Sequence, residues 1–124
     1  MGCEAKMMLD EYFNGNEDSR MIFDCLREMI ESLGPTEMRV QQSQIAFLRK
    51  VPFAYTTVPL KHQPGRGTPL ILSVSLRRRD ASSRWKKTVQ LPTNWFTHYI
   101  ELCSLNEVDN QVCGWLQEAW IQAA

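Results

Sequence analysis

The sequence lacks the local patterns that identify most enzymes and most membrane proteins. Its four cysteines form no Cys-x-x-Cys pair, and no phosphate-binding loop of the form Gly-x-x-x-x-Gly-Lys-Ser/Thr occurs. No apolar run approaches the roughly 18 residues that a membrane-spanning helix needs, and the N-terminus has no apolar stretch typical of a signal peptide. We therefore expect reduced thiols, a cytoplasmic location, no membrane partner, no cofactor and no metal site.

The composition favours one folded globular domain. Of the 124 residues, 44% are hydrophobic and 23% are charged, which are ordinary values for a globular chain. Disordered segments have fewer apolar residues, and the length is typical of a single domain. We predict one domain that spans residues 1–124.

Charge is segregated along the chain although the net charge is zero. Residues 1–34 contain eight acidic and three basic residues, a net charge of −5. Residues 35–100 contain eleven basic and two acidic residues, which gives +9, and residues 101–124 contain four acidic and no basic residues, which gives −4. A basic central region of this kind favours an anionic partner.

Two N-terminal stretches have the apolar periodicity of amphipathic helices. The first ends at Asn14-Gly15, and the second runs from a cap at Asn16 to a stop at Gly34-Pro35. Their apolar stripes are Ala5, Met8, Leu9, Tyr12 and Phe13 in the first, and Ile22, Cys25, Leu26, Met29, Ile30 and Leu33 in the second.

A third helix is predicted near the C-terminus. Ser104 and Glu107 have the spacing of a capping box, so we expect the helix to begin there. Gly114 lowers its helix propensity, and we expect this glycine to let another backbone approach closely. The apolar stripe of this helix is Leu105, Val108, Val112, Trp115, Leu116, Ala119 and Trp120.

Between these helices, the periodicity changes to that of β-strands. The segments are rich in β-branched and aromatic residues, and Gly, Pro, Ser or Gln clusters separate them. The residues of the third segment alternate between apolar and mostly polar, so one face of the sheet should meet solvent. The predicted strands are Ile45–Leu48, Phe53–Leu60, Leu70–Leu76, Trp85–Leu91 and Phe96–Leu102, with the longest loop from Lys61 to Pro69.

This order of elements predicts an α+β fold. The strands are not interleaved with helices, so the sheet should be antiparallel, with about five strands. We expect the two N-terminal helices and the C-terminal helix to pack on one face of it.

A series of short segments carries a resemblance to known proteins: Leu33-Gly34-Pro35, Ile45-Ala46-Phe47, Phe53-Ala54, His98-Tyr99-Ile100-Glu101-Leu102, Asp109, Val112, Trp115-Leu116 and Ala119-Trp120. With these segments the chain resembles a small bacterial family of domains of unknown function, over roughly residues 8 to 121. That family is in turn similar to the YdhG-like domains, which are α+β and include proposed frataxin-like iron chaperones. The resemblance implies an α+β fold but no activity. In this chain the acidic residues from Asp10 to Glu31 lie on the predicted helices and the strands are basic, so we expect no iron site.

A basic hairpin is the first candidate site. The turn region Asp80-Ala81-Ser82-Ser83 between two predicted strands indicates a long hairpin with a polar tip. Its basic residues and one tryptophan suit a phosphate backbone and a stacking base. A solvated hairpin whose charges protect an edge strand is the alternative. The candidate nucleic-acid contacts are Arg77, Arg78, Arg79, Arg84, Trp85, Lys86 and Lys87.

A second candidate site surrounds His98, which with Tyr99 and Glu101 is the only candidate for chemistry. A catalytic pair with Cys103 is disfavoured, because strand residues five positions apart point to opposite faces. The alternative is a buried histidine that is hydrogen-bonded within the fold. Other aromatic residues are expected to line a pocket or a twofold interface on the open sheet face. The candidate ligand-binding residues are His98, Tyr99, Glu101, Trp95 and Tyr55.

Three functions remain open from the sequence. The first is a non-enzymatic binding or interaction module that forms a homodimer and takes an unidentified protein or small ligand. The second is a weak nucleic-acid binder that uses the basic hairpin at residues 77–87. The third is a small-molecule or metal-handling protein with a pocket near His98.

Overall fold

A computed structural model describes residues 9–59 and 68–124. The predicted stripe residues Ala5 and Met8, and most of the predicted loop from Lys61 to Pro69, lie outside the described residues. Residues 9–12 are helical. The remaining elements are α1 (Glu17–Glu31), β1 (Glu37–Val40), β2 (Ile45–Leu48), β3 (Pro52–Thr57), β4 (Leu70–Leu76), β5 (Lys87–Gln90), β6 (Phe96–Leu102), a 3-10 helix (Leu105–Glu107) and α2 (Asn110–Gln122).

Glycines flank helix α1 on both sides, as the sequence predicts. Gly15 has a φ of 80° and Gly34 a φ of 144°, which are values that residues with a side chain rarely adopt. Asn16 occupies the N-cap position, but its side chain donates to the carbonyl oxygen of Asn14 and makes no capping bond. The predicted apolar stripe packs in the core through Ile22, Leu26 and Ile30.

The sheet has six antiparallel strands in the order β1-β2-β3-β4-β6-β5, where the sequence predicted about five. The additional strand is β1, at the edge of the sheet. Its sequence, Glu-Met-Arg-Val, carries two charges, and its residues alternate between exposed and half-buried. Such a segment has little strand propensity of its own. It is a strand because Val40 pairs with Ile45 and Glu37 with Leu48 of β2.

The predicted hairpin between the strands at Leu70–Leu76 and Trp85–Leu91 is wrong. Strand β4 pairs with β6 along its whole length, and β5 pairs with the other edge of β6. Residues 77–86 therefore form a crossover between two parallel strands, β4 and β5, which passes over the inner face of β6 at His98, and we call this segment the crossover. The hairpin was predicted because a turn sequence at residues 80–83 is followed by a strand. The pairing partner of β4 is instead β6, with which it forms a ladder of seven consecutive residue pairs.

The two faces of the sheet have different surroundings. On one side lie the buried side chains of Ala54, Leu72, Val74 and Ile100, which form a core with residues of both long helices. We call this side the inner face. We call the other side the outer face; by the strand register it carries Tyr55, Ser73, Ser75, Thr97, Tyr99, Glu101 and Lys87.

The C-terminal helix begins later than predicted. The carboxylate of Glu107 accepts hydrogen bonds from the backbone N–H groups of Cys103 and Ser104, as in a capping box, but the helix that follows is a short 3-10 turn. Helix α2 itself is capped by Asp109, whose side chain accepts from the N–H of Val112. The expected close approach at Gly114 is wrong, because, apart from its own stretch of the helix, no heavy atom of the described residues would lie within 4 Å of a Cβ at this position.

Candidate functional site

A row of side chains crosses the outer face from strand to strand. Tyr55 of β3 lies opposite Ser73 of β4, Ser73 lies opposite Tyr99 of β6, and Tyr99 lies opposite Lys87 of β5. Neighbouring strands are about 4.8 Å apart, so the two tyrosines are separated by roughly 10 Å across the sheet. Both rings are half-buried, and the exposed Lys87 is at the end of the row.

A second row lies nearer the other end of β6. Ser75 is opposite Thr97, and Thr97 is opposite Val89 of β5. Directly beyond this row, Arg77 follows β4 and Trp95 precedes β6, and their side chains meet. The outer face thus combines aromatic rings with three aliphatic hydroxyl side chains, those of Ser73, Ser75 and Thr97, which are buried between the rings and can both donate and accept hydrogen bonds.

Two cations lie over aromatic rings on this face. The guanidinium carbon of Arg77 is 4.9 Å from the centre of the Trp95 ring, and the Nζ atom of Lys87 is 5.4 Å from the centre of the Tyr99 ring. These distances fall within the range of cation–π attraction. Among residues 9–59 and 68–124, no carboxylate forms an ion pair with either cation. Both are therefore available to an anion.

A shallow pocket of about 240 Å³ opens on the outer face beside Trp95. Its walls are partly apolar, and the hydroxyl-bearing side chains of Tyr55, Ser75 and Thr97 contribute to them. Burial raises the pKa of Tyr55 above its ordinary value, and the nearby Tyr99 raises it further. Tyr55 therefore keeps its proton and remains a hydrogen-bond donor. The lining residues are Val51, Pro52, Tyr55, Ser75, Leu91, Trp95 and Thr97.

Two arginines of the predicted basic site bind the C-terminal part of the chain instead. Arg78 makes hydrogen bonds of 2.8 and 2.9 Å to the two carboxylate oxygens of Glu118, and a further bond of 2.9 Å to Asp80. Arg84 binds both carboxylate oxygens of Asp109, at 3.1 and 3.0 Å, and the side chain of Gln111. Their charges attach the crossover to helix α2 and its cap.

Trp85 is also engaged within the fold. Its side chain is buried, and the centre of its ring lies 4.1 Å from the centre of the Trp115 ring. Its Nε1 atom donates a hydrogen bond of 2.8 Å to the carboxylate of Asp80. It offers no free ring for a stacking base. Arg79 and Lys86 are exposed, and Arg79 lies over the ring of Phe96, away from the outer face.

His98 lies on the inner face, apart from the neighbours predicted with it. Its side chain is fully buried, and it pairs across the sheet with Val74. Tyr99 and Glu101 have the opposite strand parity and lie on the outer face. The structure therefore brings together four of the five candidate ligand-binding residues, namely Tyr99, Glu101, Trp95 and Tyr55, and separates His98 from them.

Sequence reasoning missed the small polar residues of the site. Ser73, Ser75 and Thr97 lie at the centre of the outer face, between the aromatic rings. The alternation of polar and apolar residues in β4 indicated a polar face. Their position between Tyr55 and Tyr99 depends on the pairing of β4 with β6, which no local pattern contains.

The described residues contain no group of three or more histidine, cysteine or acidic side chains that could hold a metal ion. Within the same ranges, no helix is both long and apolar enough to cross a membrane.

One comparison with known proteins gives a match. The model of the family described as "Domain of unknown function (DUF5655)" matches residues 9–123. No curated protein and no solved structure matches the chain significantly. The expected likeness to a small family of unknown function is thus supported, and the wider likeness to YdhG-like domains stays a prediction.

Proposed function

We propose that this chain, which belongs to the DUF5655 family of domains of unknown function, is a binding module that takes an anionic ligand on the outer face of its sheet. One observation carries the proposal. Arg77 and Lys87 stand over Trp95 and Tyr99 and form no ion pair with any described carboxylate.

The surroundings of the two cations support this proposal. Arg78 and Arg84, in the crossover, bind carboxylates of the fold, whereas Arg77 and Lys87 form no ion pair within the described residues. Between them, the hydroxyl groups of Ser75 and Thr97 line the pocket beside Trp95 and provide further donors to an anionic oxygen.

A second copy of the chain fits this face less well than an anion. In a face-to-face dimer with twofold symmetry, the same patch meets itself, so the interface would hold four cations, two copies each of Arg77 and Lys87, against two copies of Glu101. Like charges brought together in an interface are unfavourable. The expected homodimer stays a prediction, and sedimentation equilibrium of the purified protein tests it.

The test uses inorganic polyphosphate as the probe and two double variants of equal charge. Arg77→Gln/Lys87→Gln removes two positive charges from the outer face. Arg79→Gln/Lys50→Gln removes two exposed charges away from that face, since Arg79 lies over Phe96 and Lys50 lies beside Leu48 and Ala124. We measure polyphosphate affinity by calorimetry at low salt. Relative to the unmodified protein, we expect the affinity to fall at least about tenfold in the first variant and only about twofold in the second.

Two results would overturn the proposal. One is the absence of polyphosphate binding by the unmodified protein at low salt. The other is an equal loss of affinity in both double variants, since it would mean that net charge and not the outer face attracts the anion.

A further inference from the structure

We propose that the anion bound by the outer face is a single-stranded nucleic acid, whose phosphates draw Arg77 and Lys87 away from the faces of the Trp95 and Tyr99 rings and whose bases stack on the rings that this movement exposes. This inference rests on the proposed function and specifies its ligand. The observation behind it is that each free cation of the face is paired with an aromatic ring.

The ring and cation pairs repeat along one strand. Trp95, directly before β6, and Tyr99 within it are four residues apart, which corresponds to roughly 13 Å along an extended chain. Arg77 reaches Trp95 from the end of β4, and Lys87 reaches Tyr99 from β5. A ligand that matches this surface therefore presents planar rings and negative charges more than once along its length. Single-stranded nucleic acids have this repeat, because each nucleotide carries one base and one phosphate.

The pocket beside Trp95 adds a place for an unstacked base. Its walls include the apolar side chains of Val51 and Leu91, and the hydroxyl groups of Tyr55 and Ser75 can bond to the polar edge of a base. Because Tyr55 stays protonated, it can donate to a ring nitrogen or a carbonyl oxygen. Bases that are splayed out of a single strand bind proteins in this way.

A duplex does not suit this surface. The bases of a duplex are stacked inside it, and they are reached from the grooves by protruding elements such as helices or β-ribbons. Here the rings of Tyr55, Trp95 and Tyr99 are half-buried in the surface of a sheet. An acidic peptide would use the two cations but not the rings. The aromatic content of the face thus favours a single strand over both alternatives.

The experiment compares four labelled probes of similar length by fluorescence anisotropy at low and physiological salt. The probes are oligothymidylate, an abasic phosphodiester chain, inorganic polyphosphate and a poly-glutamate peptide. We expect oligothymidylate to bind at least about tenfold more tightly than the abasic chain, since each stacked base contributes about 1–3 kcal/mol. We also expect its affinity to fall as salt increases.

Substitutions of Trp95 and Tyr99 test whether oligothymidylate binds at these two rings. Trp95→Leu and Tyr99→Leu should each weaken oligothymidylate binding by about 5- to 100-fold, while Trp95→Phe and Tyr99→Phe retain a ring and most of the affinity. Binding of the abasic chain should not change in any of the four. Photocrosslinking of an iodouridine-containing oligonucleotide to the unmodified protein requires no variant to fold, and we expect crosslinks at Trp95 or Tyr99.

The outcomes separate this inference from the proposed function. If the abasic chain or polyphosphate binds as tightly as oligothymidylate, the nucleic-acid inference is wrong and the anion-binding function stands. Equal binding of poly-glutamate overturns it in favour of an acidic protein partner. Crosslinks confined to other surfaces, or full binding by both leucine variants, also overturn it. If no probe binds at low salt, the inference and the proposed function both fail.

Discussion

The Nε2 atom of His98 accepts a hydrogen bond of 2.9 Å from the backbone N–H of Asp80. The Nδ1 atom of the same ring lies 3.2 Å from the carbonyl oxygen of Val74, which can only accept. These two partners fix the neutral ring with its proton on Nδ1. A proton on Nε2 would meet the N–H of Asp80, so His98 positions the start of the crossover only while it is neutral.

This arrangement predicts a loss of stability in mild acid. Burial is the main reason that the pKa of His98 lies below its ordinary value of 6.5. Below about pH 6.5 the unfolded chain therefore binds a proton that the folded protein does not, and the free energy of unfolding falls with pH. We expect urea denaturation to give a loss of about 1 kcal/mol between about pH 7 and pH 5.5 that is absent in His98→Gln.

The glutamine variant isolates the effect of His98. Its side-chain oxygen can replace Nε2 as the acceptor for the Asp80 N–H, but it does not titrate. The second histidine, His62, is present in both proteins, so its contribution cancels. Parallel stability curves for the two proteins over this range would contradict the prediction.

The ion pair between Arg78 and Glu118 should contribute modest, acid-sensitive stability. The hydrogen bond from Arg78 is the main reason that the pKa of Glu118 is below its ordinary value. The contribution is therefore present above about pH 4.5 and is lost as the pH falls through the lowered pKa. We expect Glu118→Gln to reduce the free energy of unfolding by about 0.5–1 kcal/mol at neutral pH, and less in acid, by urea denaturation.

Glu31→Gln provides the control for this prediction. Its partner Arg27 is on the same helix, and their single hydrogen bond of 3.3 Å is more exposed than the two bonds to Glu118. We expect a cost below about 0.5 kcal/mol. An equal cost for both variants would mean that the link between the crossover and α2 adds nothing beyond an ordinary surface pair.

Two glycines should respond in opposite ways to alanine. A Cβ at Gly34 would lie 2.5 Å from Cζ2 of Trp120, and the φ of 144° is unfavourable for any residue with a side chain. Gly114 lies in helix α2 with open space around it. We expect Gly34→Ala to cost at least about 2 kcal/mol and Gly114→Ala to stabilise by about 0.5–1 kcal/mol, by thermal and urea denaturation. A neutral Gly34→Ala would show that Trp120 can move away freely.

Local patterns were sufficient for most elements of the fold. The stripe through Ile22, Leu26 and Ile30 predicted α1, since a helix repeats its face every 3.6 residues. Alternation in β4 predicted one apolar and one polar face. Strand β1 was missed, because its short and charged sequence becomes a strand only by pairing with β2.

Part of the candidate site also followed from strand parity. Trp95, Tyr99 and Glu101 share one parity on β6, which places them together on the outer face, and His98 has the other. The roles of the basic residues did not follow from the sequence. Arg77 and Arg78 are adjacent and identical in type, yet one lies over Trp95 and the other binds Glu118, forty residues away.

The sequence by itself determined the α+β class, the helix stripes and the two-sided character of the strands, because these depend on periodicities within a few residues. The tertiary structure alone decided that β6 lies between β4 and β5. This strand order places Ser73 beside Tyr99 and brings Lys87 over the ring of Tyr99. It also decided which cations are neutralised. Both outcomes depend on contacts between residues far apart in the chain, and the free energy of those contacts is present only once the core has assembled.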